Sequence, residues 1–512
     1  MLNNYQSLPG KPISLWLDTT PETNFPALQS GLTVDVAIIG GGLAGLTAAT
    51  LLKAEGKTVA VLEAGRIVHG VTGNTTAKIT SQHNLIYDEL TRHFGEEKAR
   101  AYAEANQAAI EQIADLVRDK QIDCDFARTE AYTYTESDDK VDQIRAEVEA
   151  ALKLGLPASF TDETPLPFPV KAAVRFDNQA QFHPRKYLLA LARDIPGEGS
   201  HIFEETRVVE VVEGEPCVVT TTTEQGTIVA RSVIVASHFP FNDKALYAFR
   251  LRSHRSYVLA VRVAEPVPRG MFISTEPSHS VRSYPVPGSD LLLVGGEGHK
   301  TGQGDDTVAR YQRLEQWARE RFAVQSVEYR WSTQDNRTID RVPYIGRYGP
   351  TSQHLYVATG FGGWGMTNST VAGMLLRDLI LERDNPWAEV YDPNRANLSG
   401  VPDLVGQAGD IVQHFVGDRL TDATPESIAP GEGKIVNTEA GKVAIYKAED
   451  GAVSTLSPAC THMGCFVLWN PAEKSWDCPC HGSRFAANGQ VIHGPAIKDL
   501  EEIGEKSDSN TS

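Results

Sequence analysis

Cysteine is scarce in this chain. There are six in 512 residues, and four of them crowd into two short runs, CTHMGC (460–465) and CPCHGS (478–483). Cys124 and Cys217 stand far from these runs and from each other, the disposition of buried, inert thiols in a reducing compartment. Long apolar runs are missing too. Nothing approaches the roughly 20 consecutive apolar residues of a membrane-spanning helix, so no span is expected. The opening MLNNYQSLPGKPISLWLDTT has no basic segment, no continuous apolar stretch and no twin arginine. No secretory signal is therefore expected, and a cytoplasmic location is. Positive charge is in deficit, 48 Lys and Arg against 66 Asp and Glu, for a net charge of −18. That balance argues against nucleic acid or an anionic membrane surface as a partner; it suits solubility and docking to a basic redox protein. Tandem repeats and low-complexity tracts are absent. What remains is an ordinary globular composition, 41% hydrophobic and 22% charged, in a chain long enough for about three domains.

The first informative stretch is VDVAIIGGGLAGLTAATLLKAEGKTVAVLEAG (34–65). Val34, Val36, Ile38 and Ile39 read as a buried strand, Leu46 to Ala54 as a helix stopped by Gly56, and VAVLE as a second strand. Gly40, Gly42 and Gly45 form G-x-G-x-x-G between the first strand and the helix. The first permits a tight turn, the second lets backbone approach a pyrophosphate, and the third lets helix and strand pack closely. Leu43 and Ala44 begin a helix whose free N–H groups and positive dipole end suit that pyrophosphate. Glu63 ends the second strand, about 20 residues on, where an acid accepts hydrogen bonds from ribose hydroxyls. The following AGRIVHGVTGNTTAKIT (64–80) is rich in Gly, Thr and Asn. Its Ala64, Gly65, Arg66, Thr75, Thr76 and Ala77 are candidate donors to a second phosphate, with Val208 from a later strand as a further dinucleotide contact. Far downstream, TGFGGWGMTNS (359–369) precedes another helix. Gly360, Gly362, Gly363, Gly365, Met366 and Thr367 would place its start where negative charge collects on a reduced flavin.

These residues resemble the D-amino-acid oxidase and glycine oxidase superfamily of flavoproteins, over about residues 30–390, including ARSVIVAS and IDRVPYIGR. The resemblance implies FAD, a Rossmann-like α/β FAD-binding domain with an interleaved β-rich (α+β) substrate domain, and oxidation of a C–N or similar bond by hydride transfer to the flavin. Candidates for the substrate pocket are Trp364, Lys78, His83, Arg282, Tyr284 and Gln334. One slot departs from the family pattern. Amino-acid-oxidising relatives carry a carboxylate-clamping arginine a few residues before an Asp-x-x-Pro turn. Here WSTQDNRTIDRVP places Asp335 near that position and displaces Arg337. A bidentate clamp tolerates little displacement, which argues against a simple α-amino acid as substrate.

Each of the two Cys runs carries one cysteine and one histidine at ligand spacing, Cys460-x-His462 and Cys478-x-x-His481. A structural zinc site usually draws a Cys pair from one knuckle and a His pair from a helix. Interleaving suits a cluster with two inequivalent irons, one held by two thiolates and one by two imidazoles, with zinc as the alternative. CTHMGC…CPCHGS resembles the paired boxes of Rieske [2Fe–2S] domains, over about residues 425–500. That resemblance implies Cys460, His462, Cys478 and His481 as ligands and a Cys465–Cys480 disulfide of the cytochrome-complex type. It also implies a Ser483 hydrogen bond to a cluster sulfide. The family's tyrosine two residues after this serine is Phe485 here, so a potential below that of respiratory relatives is expected.

The domain reading is a lead-in (1–30), a discontinuous FAD-binding domain (31–120, 176–245 and 331–385), a substrate domain (121–175 and 246–330), a linker with a short amphipathic helix in LVGQAGDIVQHFV (386–424) and a Rieske domain (425–505). VGGEGHK lacks the spacing of a second dinucleotide loop, so no built-in NAD(P)H site is expected. FAD takes two electrons at once and a [2Fe–2S] cluster one. The expectation is an oxidoreductase that oxidises a small amine or amino-acid-like substrate and passes single electrons through the cluster to an external carrier protein or other acceptor. The alternatives are a reductase fed through the cluster by a ferredoxin-like donor, and a non-catalytic redox sensor.

Overall fold

The computed structural model describes residues 8–222, 226–242, 245–286, 290–304, 306–395, 427–438 and 441–503. The amphipathic segment expected at 404–416 lies outside the described residues. Leu32–Ile39 lies inside an eight-stranded sheet of order Tyr344–Arg347, Leu355–Thr359, Thr227–Val235, Leu32–Ile39, Val59–Leu62, His201–Phe203. It pairs in parallel on both sides, through Val36↔Val59 and Val36↔Ser232. Alternate residues of such a strand face opposite layers, and both layers are covered, so its apolar run is nearly continuous. Val36 and Ile38 pack with the helix Leu43–Ala54, whereas Ala37 and Ile39 join the core of the Val208–Val212 and Cys217–Thr221 hairpin. That hairpin runs antiparallel into Thr227–Val235.

Helix Glu96–Asp119 buries a stripe of Ala99, Tyr102, Ala103, Asn106, Ile110 and Ile113 against Gly365–Ile380, which in turn crosses Leu43–Ala54. The crossing is close at Gly373, where an added Cβ would lie 2.7 Å from Thr47 Cγ2 and 3.2 Å from the Ala48 nitrogen. The nine-stranded second sheet has the order Val324–Thr338, Leu251–Val263, Leu291–Lys300, Ser280–Tyr284, Met271–Ser274, Ala127–Thr135, Ala172–Gln181, Lys78–Ile79, with Ala158–Thr161 beside Ala172–Gln181. Boundaries at 176 and 331 therefore cut through two of its strands. A strand's own residues do not say which sheet it joins; the pairing partners do.

The tail forms a three-stranded sheet, Gly433–Thr438, Gly441–Lys447 and Val453–Leu456, and a four-stranded one, Leu468–Asn470, Ser475–Asp477, Arg484–Ala486 and Val491–His493. Its core gathers Cys460, Cys465, Val467, Trp476, Cys478, Cys480 and Phe485, and Phe249 of the main body packs against it. Among the described residues no helix is long and apolar enough to cross a membrane.

Candidate functional site

A cavity of about 1500 Å³ opens at the C-terminal ends of the parallel strands and runs to the second sheet and the tail. Ligands of open α/β sheets bind at this edge. Gly40, Gly42, Leu43, Ala44, Glu63, Ala64, Gly65, Arg66, Thr75, Thr76 and Val208 line one end. The loop is tight: Gly40 has φ +111° and a Cβ there would strike the Ala236 carbonyl, while a Cβ on Gly45 would strike the Gly40 carbonyl. Gly45 is thus a packing residue behind the wall, as is Ala77, whose carbonyl is held by Arg282. Glu63 accepts the Gly41 and Gly65 N–H groups, at 2.9 and 3.0 Å. Burial raises its pKa although these N–H groups oppose the shift. With the start of Leu43–Ala54 at this end and that of Gly365–Ile380 further along, the elongated cavity fits a dinucleotide.

The other end is bordered by Gly360, Gly362, Gly363, Trp364, Gly365 and Met366, and by Lys78, Gln334, Asp335 and Arg337. Lys78 Nζ donates to Thr76 Oγ1 and Ser280 Oγ, both at 3.1 Å. Burial, with a smaller push from Arg282, lowers its pKa to about 7. Arg337 lines the cavity; burial lowers its pKa, and the Asp335 carboxylate opposes that shift. Displacement in sequence has not removed it from the pocket.

Three expected pocket residues lie outside the cavity wall. Arg282 is buried, its Nη1 donating to the carbonyls of Thr76 and Ala77 at 2.9 and 2.6 Å. It pins the loop that carries Thr75 and Thr76. Tyr284 donates to Asp125 Oδ2 at 2.9 Å. His83 stacks on Trp364, with centroids 4.9 Å apart. Its Nε2 meets the Thr80 carbonyl and Thr367 Oγ1, and its Nδ1 the Tyr102 hydroxyl. Burial lowers its pKa to about 3, so a neutral ring supports the indole from behind, with Thr367 beside it. Place in the sequence, after the phosphate loop for His83 and in the β-rich middle for Arg282 and Tyr284, does not tell which way a side chain faces.

In the tail, the thiols of Cys460 and Cys478 lie within hydrogen-bonding reach of each other. The hydrogen bond from Cys478 lowers the Cys460 pKa to about 7. The rings of His462 and His481 stand 5.0 Å apart. His462 Nδ1 and His481 Nε2 are buried without a partner among the described residues. Burial takes their pKa values down to about 4 and 3, so both imidazoles are neutral. Two facing thiols and two neutral rings with orphaned nitrogens fit a mixed sulfur–nitrogen cluster. Cys465 and Cys480 are joined in a disulfide that ties the two loops. Ser483 Oγ accepts the Ala496 N–H at 3.0 Å and its hydroxyl bonds Cys460.

The second of these loops docks on the cavity wall. Gln334 Nε2 donates to the Gly482 carbonyl at 2.8 Å, and Ser253 Oγ to the His481 carbonyl at 3.0 Å. Gln334 is therefore a clasp on the tail, with its Oε1 accepting from Thr301. Gly482 has φ +79°, and a Cβ there would lie 2.5 Å from Ser253 Cβ. A buried ion cluster seals the contact: Glu473 of the tail takes Arg255 of the strand Leu251–Val263 and Arg484, which also reaches Asp477 at 2.9 Å. Arg484, Val491, His493, Gly494 and Pro495 of the tail line the cavity itself.

The family model for FAD dependent oxidoreductases matches residues 35–379, two thirds of the sequence. The chain belongs to that family. The model for the Rieske [2Fe-2S] domain matches residues 419–504 of this oxidoreductase, so its cofactors are FAD and a [2Fe–2S] cluster. "Putative Rieske 2Fe-2S iron-sulfur protein YhfW" of Bacillus subtilis (strain 168) is 43% identical over 498 residues, covering 96% of this chain and 97% of that protein. Gamma-glutamylputrescine oxidoreductase of Escherichia coli (strain K12) is 24% identical over 371 residues, 70% of this chain and 85% of its own. The glycine oxidase of Geobacillus kaustophilus superposes with a TM-score of 0.60 at 18% identity, over 71% of this chain and 99% of its own, a likeness of fold.

Proposed function

We propose that this FAD dependent oxidoreductase oxidises a small amine or amino-acid-like substrate and passes the electrons singly, by way of its Rieske cluster, to an external acceptor. The observation that carries this reading is the seating of the Cys478–Ser483 loop on Ser253 and Gln334, since Gln334 also lines the cavity. When bound, FAD supplies a two-electron acceptor and the cluster a one-electron carrier. The chain's own residues prepare the substrate. Arg337, a cation on the cavity wall, is placed to take a carboxylate or other anionic group. Lys78, whose amine is neutral above about pH 7, is placed to accept the proton of a substrate ammonium, freeing the lone pair that C–N oxidation needs. Trp364, braced by His83, closes one side against water. The name of the relative gamma-glutamylputrescine oxidoreductase supports an amine-bearing substrate.

Anaerobic stopped-flow spectroscopy over a panel of amines and amino-acid derivatives tests the reading. Flavin bleaching that precedes cluster reduction is expected. Cluster reduction first, with a reduced carrier protein as donor and no bleaching by any amine, would reverse the assigned direction.

A further inference from the structure

A chain of hydrogen bonds crosses from the tail into the Gly-rich loop of the cavity. His493, on the last tail strand Val491–His493, brings its Nε2 to 3.1 Å from His238 Nδ1. His238 Nε2 lies 3.2 Å from Asp335 Oδ1, and Asp335 Oδ2 accepts the Gly363 N–H at 2.5 Å. Where Asp335 accepts from a neutral His238 through Nε2–H, the one lone pair of His238 Nδ1 faces the donors His493 Nε2–H and Asn336 Nδ2–H. Asn336 Nδ2 also donates to the His238 carbonyl, at 3.1 Å. Two further observations single His238 out. It sits in the left-handed region at φ +66°, uncommon for a residue with a Cβ. It also follows the parallel strand Thr227–Val235, at the sheet edge that faces the cavity, which it lines together with Asp335 and His493.

We propose that His493 is a positioning residue of the flavin site, contributed by the Rieske body. Through His238 it orients the Asp335 carboxylate, and through that carboxylate it holds the Gly363 N–H and the loop 360–365. The inference deepens the reading that this loop borders the flavin ring, and it rests on it. No bond is made or broken along the chain; what it transmits is whether the tail is seated.

The test uses the purified holoprotein without substrate. In His493→Leu, the visible flavin bands should shift and FAD should dissociate roughly two- to tenfold faster, the worth of one neutral hydrogen bond. Iron content and the cluster's EPR signal should stay as in the parent. His493→Gln, whose amide still donates, should restore the parental spectrum, and Asp335→Asn should reproduce the change from the other end. A parental flavin spectrum and FAD off-rate in His493→Leu overturn the proposal. If that variant also loses iron, His238→Leu, outside the tail, decides in the same way. Trp364→Phe separates the two readings. If it perturbs the flavin and His493→Leu does not, only this proposal falls. If neither does, the loop does not border the ring.

Discussion

Phe485 is fully buried between the tail's strands and offers no hydroxyl beside the cluster ligands, whereas Ser483 keeps its own. Each hydrogen bond to the cluster favours the reduced form. Phe485→Tyr should therefore raise the cluster potential in a redox titration; a fall or no change would count against the expectation. Lys78 carries a pH signature. Its amine is held near pKa 7 by burial and then by Arg282, so it can accept a proton above that pH and cannot below. Flavin bleaching should slow as pH drops through about 7, and Lys78→Met should be slow and flat across the range. Arg337→Met should raise KM for a carboxylate-bearing substrate roughly tenfold to a hundredfold, with a smaller effect on kcat, because one charge-assisted contact is lost from binding. The tight glycine turn with Glu63 beside it, and the meeting of Cys460 with Cys478 and of His462 with His481, follow from residue types at close spacing in sequence. His238 and His493 were not. They are 255 positions apart, and no local pattern marks either. Arg282 misled for a different reason: a lone arginine on a strand looks the same in sequence whether it meets a ligand or backbone carbonyls.

Among the elements, the strand–turn–helix at the start and the Gly-rich turn before Gly365–Ile380 stand where period and punctuation put them. What pattern alone did not deliver was membership. Ala172–Gln181 and Val324–Thr338 read as strands by themselves, but pairing partners far along the chain decide that they build the second sheet. Close crossing of helices is similarly invisible until the backbone is placed. Gly373→Ala should push Gly365–Ile380 away from Thr47 and Ala48. Overpacking of this kind costs roughly 1–3 kcal/mol, to be read as a lower denaturation midpoint, with FAD released earlier in the same transition. An unshifted midpoint would show that the crossing relaxes without cost.

For the molecule as a whole, the decisive contact is the one between tail and body. Burial alone would raise the pKa of Glu473, but Arg255 and Arg484 more than offset it and hold it below the ordinary range; Asp477 is held down in the same way, chiefly by Arg484. Carboxylates depressed in the folded state lend stability above their unfolded pKa and lose it as pH falls through the folded one. Seating of the tail should therefore weaken only in acid, below the usual carboxylate range. Glu473→Gln should weaken it at neutral pH by roughly 3–5 kcal/mol, since Arg255 is left buried without its carboxylate. Calorimetry should then show an early unfolding step for the tail that the parent lacks. The clasp made by Ser253 and Gln334 has a consequence for descent. A change at this clasp therefore bears on the cavity wall and on the seating of the iron centre together. A chimaera given a relative's tail will seat it only if the receiving residues travel with the graft.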